Sequence, residues 1–436
     1  MPSETSDTNT PSWSASAVEE IAQKVGTPFL LYRADTIRNK IAEIKQMTQA
    51  AGLQARFAMK ACSGHRVLHE MREAGIWIDA VSGNEVLRAM KAGFSSGQNP
   101  PMILYTADVF RDNALEVITH KNILANVGSP YMIGALAQAG YRGPIGLRLN
   151  PGFGHGHVKE CDTGGPSSKH GLWFEDIQDI KNQVESSGLT VQLLHAHIGT
   201  GPQISEFQAN MRRLVDFFVD YLKLFPQVDA INFGGGIPHP YKPGTPRINL
   251  ADIGAVFRDA QQSFSAAAGR QIQVEIEPGR FFVAGGASLI TRVHGLKSTQ
   301  TNEKGPGQKF VMVDAGFCDL VRPAMYGSYH HIEVLGKTGQ PEENLEDLVV
   351  AGPMCESGDV FTRDASEVLD PRALPTPDVG DLIAIHDAGA YGESMSSNYN
   401  SLGRVPQVWC DDNGVHLMSR RQTLEDIIQT ECFEAL

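Results

Sequence analysis

The chain has 436 residues, too many for one ordinary hydrophobic core, so two domains are expected. With 42% hydrophobic and 20% charged residues and a net charge of −13, it reads as a soluble globular protein with no nucleic-acid partner, and no apolar run approaches membrane-spanning length. Its six cysteines, at 62, 161, 318, 355, 410 and 432, lack CxxC spacing, which indicates neither a zinc site nor a disulfide framework and makes the cytoplasm the simplest address.

Residues 1–16 are rich in Ser, Thr and Pro, with no basic start or apolar stretch; a disordered tail is expected, not a signal peptide. Pro28 to Tyr32 reads as a strand, and Asp35 then caps a helix to about Ala51. From there, short apolar strands alternate with helical periodicity. The strand candidates end at Lys60, Ser82, Thr106, Asn126, Asn150, His197, Gly234 and Glu277. After the sixth, Phe207, Met211, Leu214, Phe218 and Tyr221 recur at helical spacing. Eight strand–helix units predict a parallel (β/α)8 barrel over residues 36–285. The loop from Gly152 to Gly171 is long and polar, a candidate lid in which His155, His157 and Cys161 have no assigned role.

After Gly285 the strands come without helices between them: Leu289 to Leu296, Lys309 to Asp314, His331 to Leu335, Leu348 to Val350, Leu382 to His386 and Val405 to Ser419. Asn413-Gly414 is a hairpin turn within the last. These predict an all-β sandwich or barrel domain, residues 17–35 plus 286–436, which also takes the N-terminal strand Phe29 to Tyr32. Asn302 to Gln308 and Asp370 to Asp378 read as surface loops, and residues 422–433 as a closing amphipathic helix.

The barrel's strand ends carry the chemistry. In Arg56-Phe57-Ala58-Met59-Lys60, the lysine points its amine into the mouth where barrel ligands sit, and is read as the Schiff-base lysine of pyridoxal 5′-phosphate (PLP). Alternation puts His195 and His197 on the interior face, with His197 nearer the rim. Gly234, Gly235 and Gly236 bring bare N–H groups to the end of strand seven, a common phosphate position. Glu277-Pro278-Gly279-Arg280 ends strand eight, where a buried carboxylate facing a pyridine nitrogen would keep it protonated. Taken alone, Lys60 is a solvated surface cation and Glu277 one half of an Arg–Glu pair. Jointly, the set fits one aromatic phosphate cofactor.

The segments FAMKA, HIGTG, NFGGG, EPGR, RPAMYG, GPMCESGDVF and DAGAYGESMSSNYN resemble the PLP-dependent decarboxylases of the alanine-racemase-like fold type, from Pro28 to nearly the end of the chain. Within that family the resemblance is to the members acting on meso-diaminopimelate to release L-lysine. It implies a barrel plus a β-sandwich domain and a homodimer with shared active sites. It also implies that Lys60 holds the cofactor and His197 stacks on its ring, with Gly234 to Gly236, Glu277, Pro278, Gly279 and Arg280 around ring and phosphate. Thr200 stands where the family usually has serine. Cys355 and Glu356 would enter the partner's site, Cys355 as proton donor; Arg280, Arg322, Tyr326, Glu356 and Tyr391 would bind substrate, with Tyr391 also touching the cofactor. Two arginines suit a distal carboxylate. The nearest alternative is a decarboxylase of ornithine, lysine or arginine on the same fold. A racemase would place an arginine where Glu277 stands, and a PLP carrier would lack the β domain.

Overall fold

The protein is described by a computed structural model over residues 13–154, 163–199, 204–337, 339–432 and 434. Thr200, His155, His157, Cys161 and residues 1–12 of the expected tail lie outside the described residues. Two compact units emerge. One comprises Arg38–Pro238 and Arg247–Phe282; the other comprises the described residues of Met1–Ile37, His239–Pro246 and Val283–Leu436.

The first strand, β1 (Phe29–Arg33), belongs to the second unit. The first unit is built on β2 (Gln54–Ala58), β3 (Trp77–Ala80), β4 (Ile103–Ala107), β5 (Leu124–Val127), β6 (Ile145–Asn150), β7 (Leu172–Trp173), β8 (Val191–His195), β9 (Ala230–Asn232) and β10 (Gln273–Ile276). Eight of them run parallel in the order β2-β3-β4-β5-β6-β8-β9-β10; β10 pairs back onto β2 and closes the barrel, while β7 pairs only with β6. The strands are short and almost wholly buried, as expected where helices cover the outer face. Helix starts are written locally. Ser82 is the N-cap of the helix Gly83–Lys91, accepting from the Glu85 N–H at 3.1 Å, and Glu85 Oε2 accepts from the Val81 N–H one residue earlier at 2.7 Å. The residues at helical spacing after β8 are buried on one face of the helix Ile204–Leu224: Phe207, Met211, Leu214, Phe218 and Tyr221.

Several barrel strands stop earlier than the sequence suggests, while β4 and β5 run one residue further, to Ala107 and Val127. β2, β8 and β10 end at Ala58, His195 and Ile276, so Lys60, His197 and Glu277 sit on the rim just past the ladder. The backbone turns there to make other bonds: Met59–Ala61 forms one 3-10 turn, and the Ala58 N–H donates to the Pro278 carbonyl at 3.4 Å.

The second unit is a mixed sheet. After β11 (Ala287–Ser298), β12 (Lys309–Val313), β13 (Ile332–Val334), β14 (Leu345–Ala351), β15 (Arg372–Pro375), β16 (Leu382–Ile385), β17 (Gln407–Asp411) and β18 (Gly414–Ser419), its order is β15-β14-β12-β11-β1-β17-β18, with β16 pairing β11 and β13. β1 is central, antiparallel to β11 (Phe29 opposite Ile290) and parallel to β17 (Leu30 opposite Gln407). Its Phe29 and Leu31 pack with Val18, Ile21, Ala22, Ile290, Leu382 and Val408. Full burial of each such large apolar side chain contributes about 1.5–3 kcal/mol.

Several expectations need correction here. Trp13 to Ser16, assigned to the tail, are ordered: the Trp13 indole donates to Ser288 Oγ at 3.3 Å, and a helix Ala15–Val25 begins at once, burying Val18, Ile21 and Ala22. The Asp370 to Asp378 loop contains β15, an edge strand on β14 that tolerates Pro375 because its outer side needs no ladder partner. The hairpin turn residues are Asp412 and Asn413, with Asp411 opposite Gly414, which opens β18 at φ 116°. The closing helix is only Leu424–Ile428, started by a Thr423/Asp426 capping box.

Candidate functional site

In the barrel unit a ladder of polar side chains climbs the interior. At its foot Arg56 makes a bidentate pair with Glu275, at 2.7 and 2.9 Å, both residues buried. Asn232 donates to Glu275 Oε2 at 3.2 Å and to Glu277 Oε1 at 2.7 Å, so one amide joins the lower carboxylate to the upper. His195 Nε2 lies 3.2 Å from Glu277 Oε2 and completes that carboxylate's partners. Burial alone would raise the Glu277 pKa, but His195, Arg56 and Arg148 outweigh it and hold the group below the ordinary range, ionised. The Arg–Glu pair weighed for Glu277 thus exists in the barrel, but Arg56 makes it with Glu275.

His197 stands beside the glycine triplet. Burial, Lys60 and Arg148 push its pKa well below the usual value, so the ring is neutral. Its Nδ1 is buried without a hydrogen-bond partner among the described residues. Gly234, at φ 67°, is required by this ring: a Cβ there would lie 2.6 Å from that of His197. Gly236 also has a positive φ, 122°, and a Cβ on Gly235 would stand 3.0 Å from the Glu277 carbonyl oxygen. Gly279 lets the strand-eight turn approach β2, its Cβ position being 3.0 Å from the Ala58 carbonyl oxygen. Lys60 is exposed at the rim, and Arg280 opens the short helix Arg280–Val283.

One barrel residue escaped the sequence reading. Asp79, opposite Ala58 in register, is buried on β3, and burial together with the Glu277 charge pushes its pKa well above normal. Its Oδ1 has no partner among the described residues. The available signal was an acid inside an apolar strand, Trp77-Ile78-Asp79-Ala80; Arg148 within Ile145-Gly146-Leu147-Arg148-Leu149 carries the same signal.

In the β unit, Arg322 is buried and begins a five-residue helix that ends at the half-buried Tyr326. Its Nη1 lies 2.9 Å from His330 Nε2, its Nη2 donates to Ser328 Oγ at 3.1 Å, and its guanidinium lies 4.7 Å from the centre of the Tyr241 ring. Cys355 and Glu356 are exposed on the loop after β14. Asp359 shapes that loop, accepting from the N–H groups of Phe317 at 2.6 Å and Met354 at 2.7 Å, while a Cβ on Gly352 would collide with it. Tyr391 is half-buried and held at φ 63°.

The barrel residues fit PLP as a group. An accessible amine suits its aldehyde, and a neutral imidazole with an orphaned nitrogen suits a ring face. The ionised carboxylate suits a pyridinium, and the backbone bare of Cβ atoms suits a phosphate.

The chain matches the family model "Pyridoxal-dependent decarboxylase, pyridoxal binding domain" over residues 34–284. It is 40% identical over 412 residues to the diaminopimelate decarboxylase of Escherichia coli (strain K12), covering 93% of this chain and 94% of that protein. The Streptomyces coelicolor enzyme of that name is also 40% identical over 412 residues, covering 94% and 90%. A diaminopimelate decarboxylase crystal structure, 39% identical, superimposes with a TM-score of 0.85 over 95% of this chain and 96% of that one. The Helicobacter pylori diaminopimelate decarboxylase complexed with L-lysine, 27% identical, gives 0.81 over 94% and 98%.

Proposed function

This chain belongs to the pyridoxal-dependent decarboxylases, and within them to the diaminopimelate decarboxylases; from that premise we propose how its own residues carry the reaction. It converts meso-diaminopimelate to L-lysine, the closing step of lysine biosynthesis, with pyridoxal 5′-phosphate as cofactor. When bound, that cofactor supplies an electron sink for the pair left on carbon as CO2 departs.

The observation that carries the assignment is the convergence of an accessible lysine, a neutral imidazole and an ionised carboxylate on the ends of β2, β8 and β10. Lys60 holds the cofactor's aldehyde carbon. Glu277, kept ionised from below, holds a proton on the ring nitrogen, while His197 presents an uncharged face to the ring. Gly234 to Gly236 and the Pro278-Gly279-Arg280 turn receive the phosphate. For the substrate's other end the roles are Arg322 and Arg280 for the distal carboxylate, Glu356 as acceptor for the ammonium, and Tyr326 and Tyr391 as further substrate-binding residues. Cys355 delivers the proton that replaces CO2. Cys355 and Glu356 belong to the partner's site in a homodimer. A working thiol so exposed belongs in a reducing compartment, which supports the cytoplasm.

The test is CO2 release from meso-diaminopimelate, lysine, ornithine and arginine at equal concentration. The dicarboxylate is expected to lead by roughly a thousandfold, because a monocarboxylate offers Arg322 and Arg280 no distal carboxylate to clamp. Faster turnover of any monocarboxylate refutes the substrate roles given to Arg322 and Arg280.

A further inference from the structure

Resting on the assignment of Arg322 to the distal carboxylate, we propose that His330, backed by Ser328, is the positioning residue that aims Arg322 at the substrate. His330 is fully buried, and its two ring nitrogens have partners of fixed sense. Nδ1 lies 2.8 Å from the His386 carbonyl oxygen, which can only accept, so Nδ1 carries the hydrogen. Nε2 lies 2.9 Å from Arg322 Nη1, which can only donate, so Nε2 presents its lone pair. The ring is therefore locked as one neutral tautomer by its neighbours.

Three neutral groups together orient the guanidinium. His330 takes one terminal nitrogen, Ser328 Oγ takes the other at 3.1 Å, and the Tyr241 ring lies 4.7 Å from the guanidinium carbon. They fix the plane of the fork, and a bidentate carboxylate site depends on that plane. Behind them, the His386 side chain is itself pinned, with Nδ1 3.0 Å from Ser288 Oγ and Nε2 2.9 Å from the Glu333 carboxylate. Glu333 and Ser288 thus hold the His386 ring, and the carbonyl of that same residue holds His330, which in turn meets Arg322.

The readout uses the stereochemistry of the reaction. The product L-lysine keeps the carboxylate of the carbon that does not react, so it binds through the same end that Arg322 recognises. Cadaverine (1,5-diaminopentane) is the same chain without any carboxylate. The competitive inhibition constants of both are measured on the holoenzyme for wild type, His330→Asn, His330→Gln, Ser328→Ala and Arg322→Gln.

Asparagine keeps a donor near the His386 carbonyl but cannot reach Arg322. His330→Asn is expected to weaken L-lysine inhibition and raise the KM for meso-diaminopimelate together, by roughly ten- to a hundredfold, with cadaverine inhibition and kcat essentially unchanged. Glutamine returns an acceptor to Arg322, and His330→Gln is expected to restore the selectivity for L-lysine over cadaverine. Equal weakening of both inhibitors would mean that His330 only supports the fold, and an unchanged ratio would mean that it does not position Arg322; either overturns the proposal. If His330→Asn does not fold, Ser328→Ala decides, with a selective loss of L-lysine inhibition expected and an unchanged ratio overturning the idea. Arg322→Gln separates the two levels. If it leaves the lysine-to-cadaverine ratio intact, the substrate role of Arg322 itself is wrong; if it abolishes the ratio while the His330 variants do not, only the positioning claim fails.

Discussion

Replacing Glu277 with glutamine removes one charge from the barrel and little else. Both carboxylate oxygens face donors, Asn232 Nδ2 at 2.7 Å and His195 Nε2 at 3.2 Å, so a glutamine can satisfy only one of them with its oxygen. Asn232 cannot flip to help, because its own Oδ1 already accepts from the Gly234 N–H at 2.8 Å. His195 can, by moving its proton to Nδ1, which is buried and unpartnered among the described residues. The variant should therefore fold and bind cofactor. What it loses is the ionised group opposite the ring nitrogen. Two unit charges about 4 Å apart at an effective dielectric constant near 20 interact by about 4 kcal/mol, or about a thousandfold in rate at about 1.4 kcal/mol per decade. Turnover of Glu277→Gln is expected to fall by two to three orders of magnitude, on the order of that figure. Cofactor content, read from absorbance of the purified protein, should stay near one per chain. Near-normal kcat at full cofactor content would show that the charge of Glu277 does not hold the ring protonated.

Borohydride reduction of the holoenzyme should leave a pyridoxyl mass on the peptide containing Lys60; a label on any other lysine refutes that residue's role. Mixing inactive Lys60→Ala chains with inactive Cys355→Ala chains should recover activity, since one hybrid site keeps both groups; no recovery, with exchange of subunits demonstrated, would exclude shared sites. Asp319 supplies a pH prediction: burial raises its pKa from 3.8 to about 6, although it accepts from the Gly316 N–H. The folded state then binds the proton more tightly than the unfolded one, so this group's contribution to stability is greatest below about pH 4 and falls as pH rises to about 6. At neutral pH the cost is about 3 kcal/mol. Asp319→Asn should raise Tm at pH 7 and flatten the change in Tm between about pH 4 and 6; a lower Tm with an unchanged slope would count against this account.

Strand–helix alternation made the barrel legible because each strand is a short buried run and each helix carries one apolar face, and both periods survive in a single sequence. The β unit was harder to read. β15 hides in Arg372-Ala373-Leu374-Pro375, where proline argues for a loop unless one knows the strand lies at an edge. The helix Ala15–Val25 was shadowed by the polar residues before it, and its apolar stripe is only Val18, Ile21 and Ala22. Strand ends were misjudged by one or two residues for another reason. Hydrophobicity continues onto the rim, whereas the backbone ladder stops where Met59 to Ala61 turns.

At the candidate site, residues with unusual chemistry at a strand end were readable, and those working through their neighbours were not. The glycine triplet was read as a phosphate cradle, yet Gly234 is demanded first by the His197 ring, and Asp359 in GPMCESGD shapes the loop bearing Cys355. Such motifs mix residues that meet ligands with residues that hold them, and spacing alone cannot sort the two. Asp79 and Glu277 show why. Each is an acid within a hydrophobic strand–turn segment, and the linear sequence offers no reason to treat them differently. In the fold, Glu277 receives His195, Asn232 and the field of Arg56 and Arg148, and stays ionised. Asp79 meets that charge in a buried setting, where Thr106 and Lys60 offset it only in part, and its pKa is pushed up. Two like groups in one barrel thereby have their pKa values driven in opposite directions. The one kept charged is the one able to hold a proton on a cofactor's ring nitrogen.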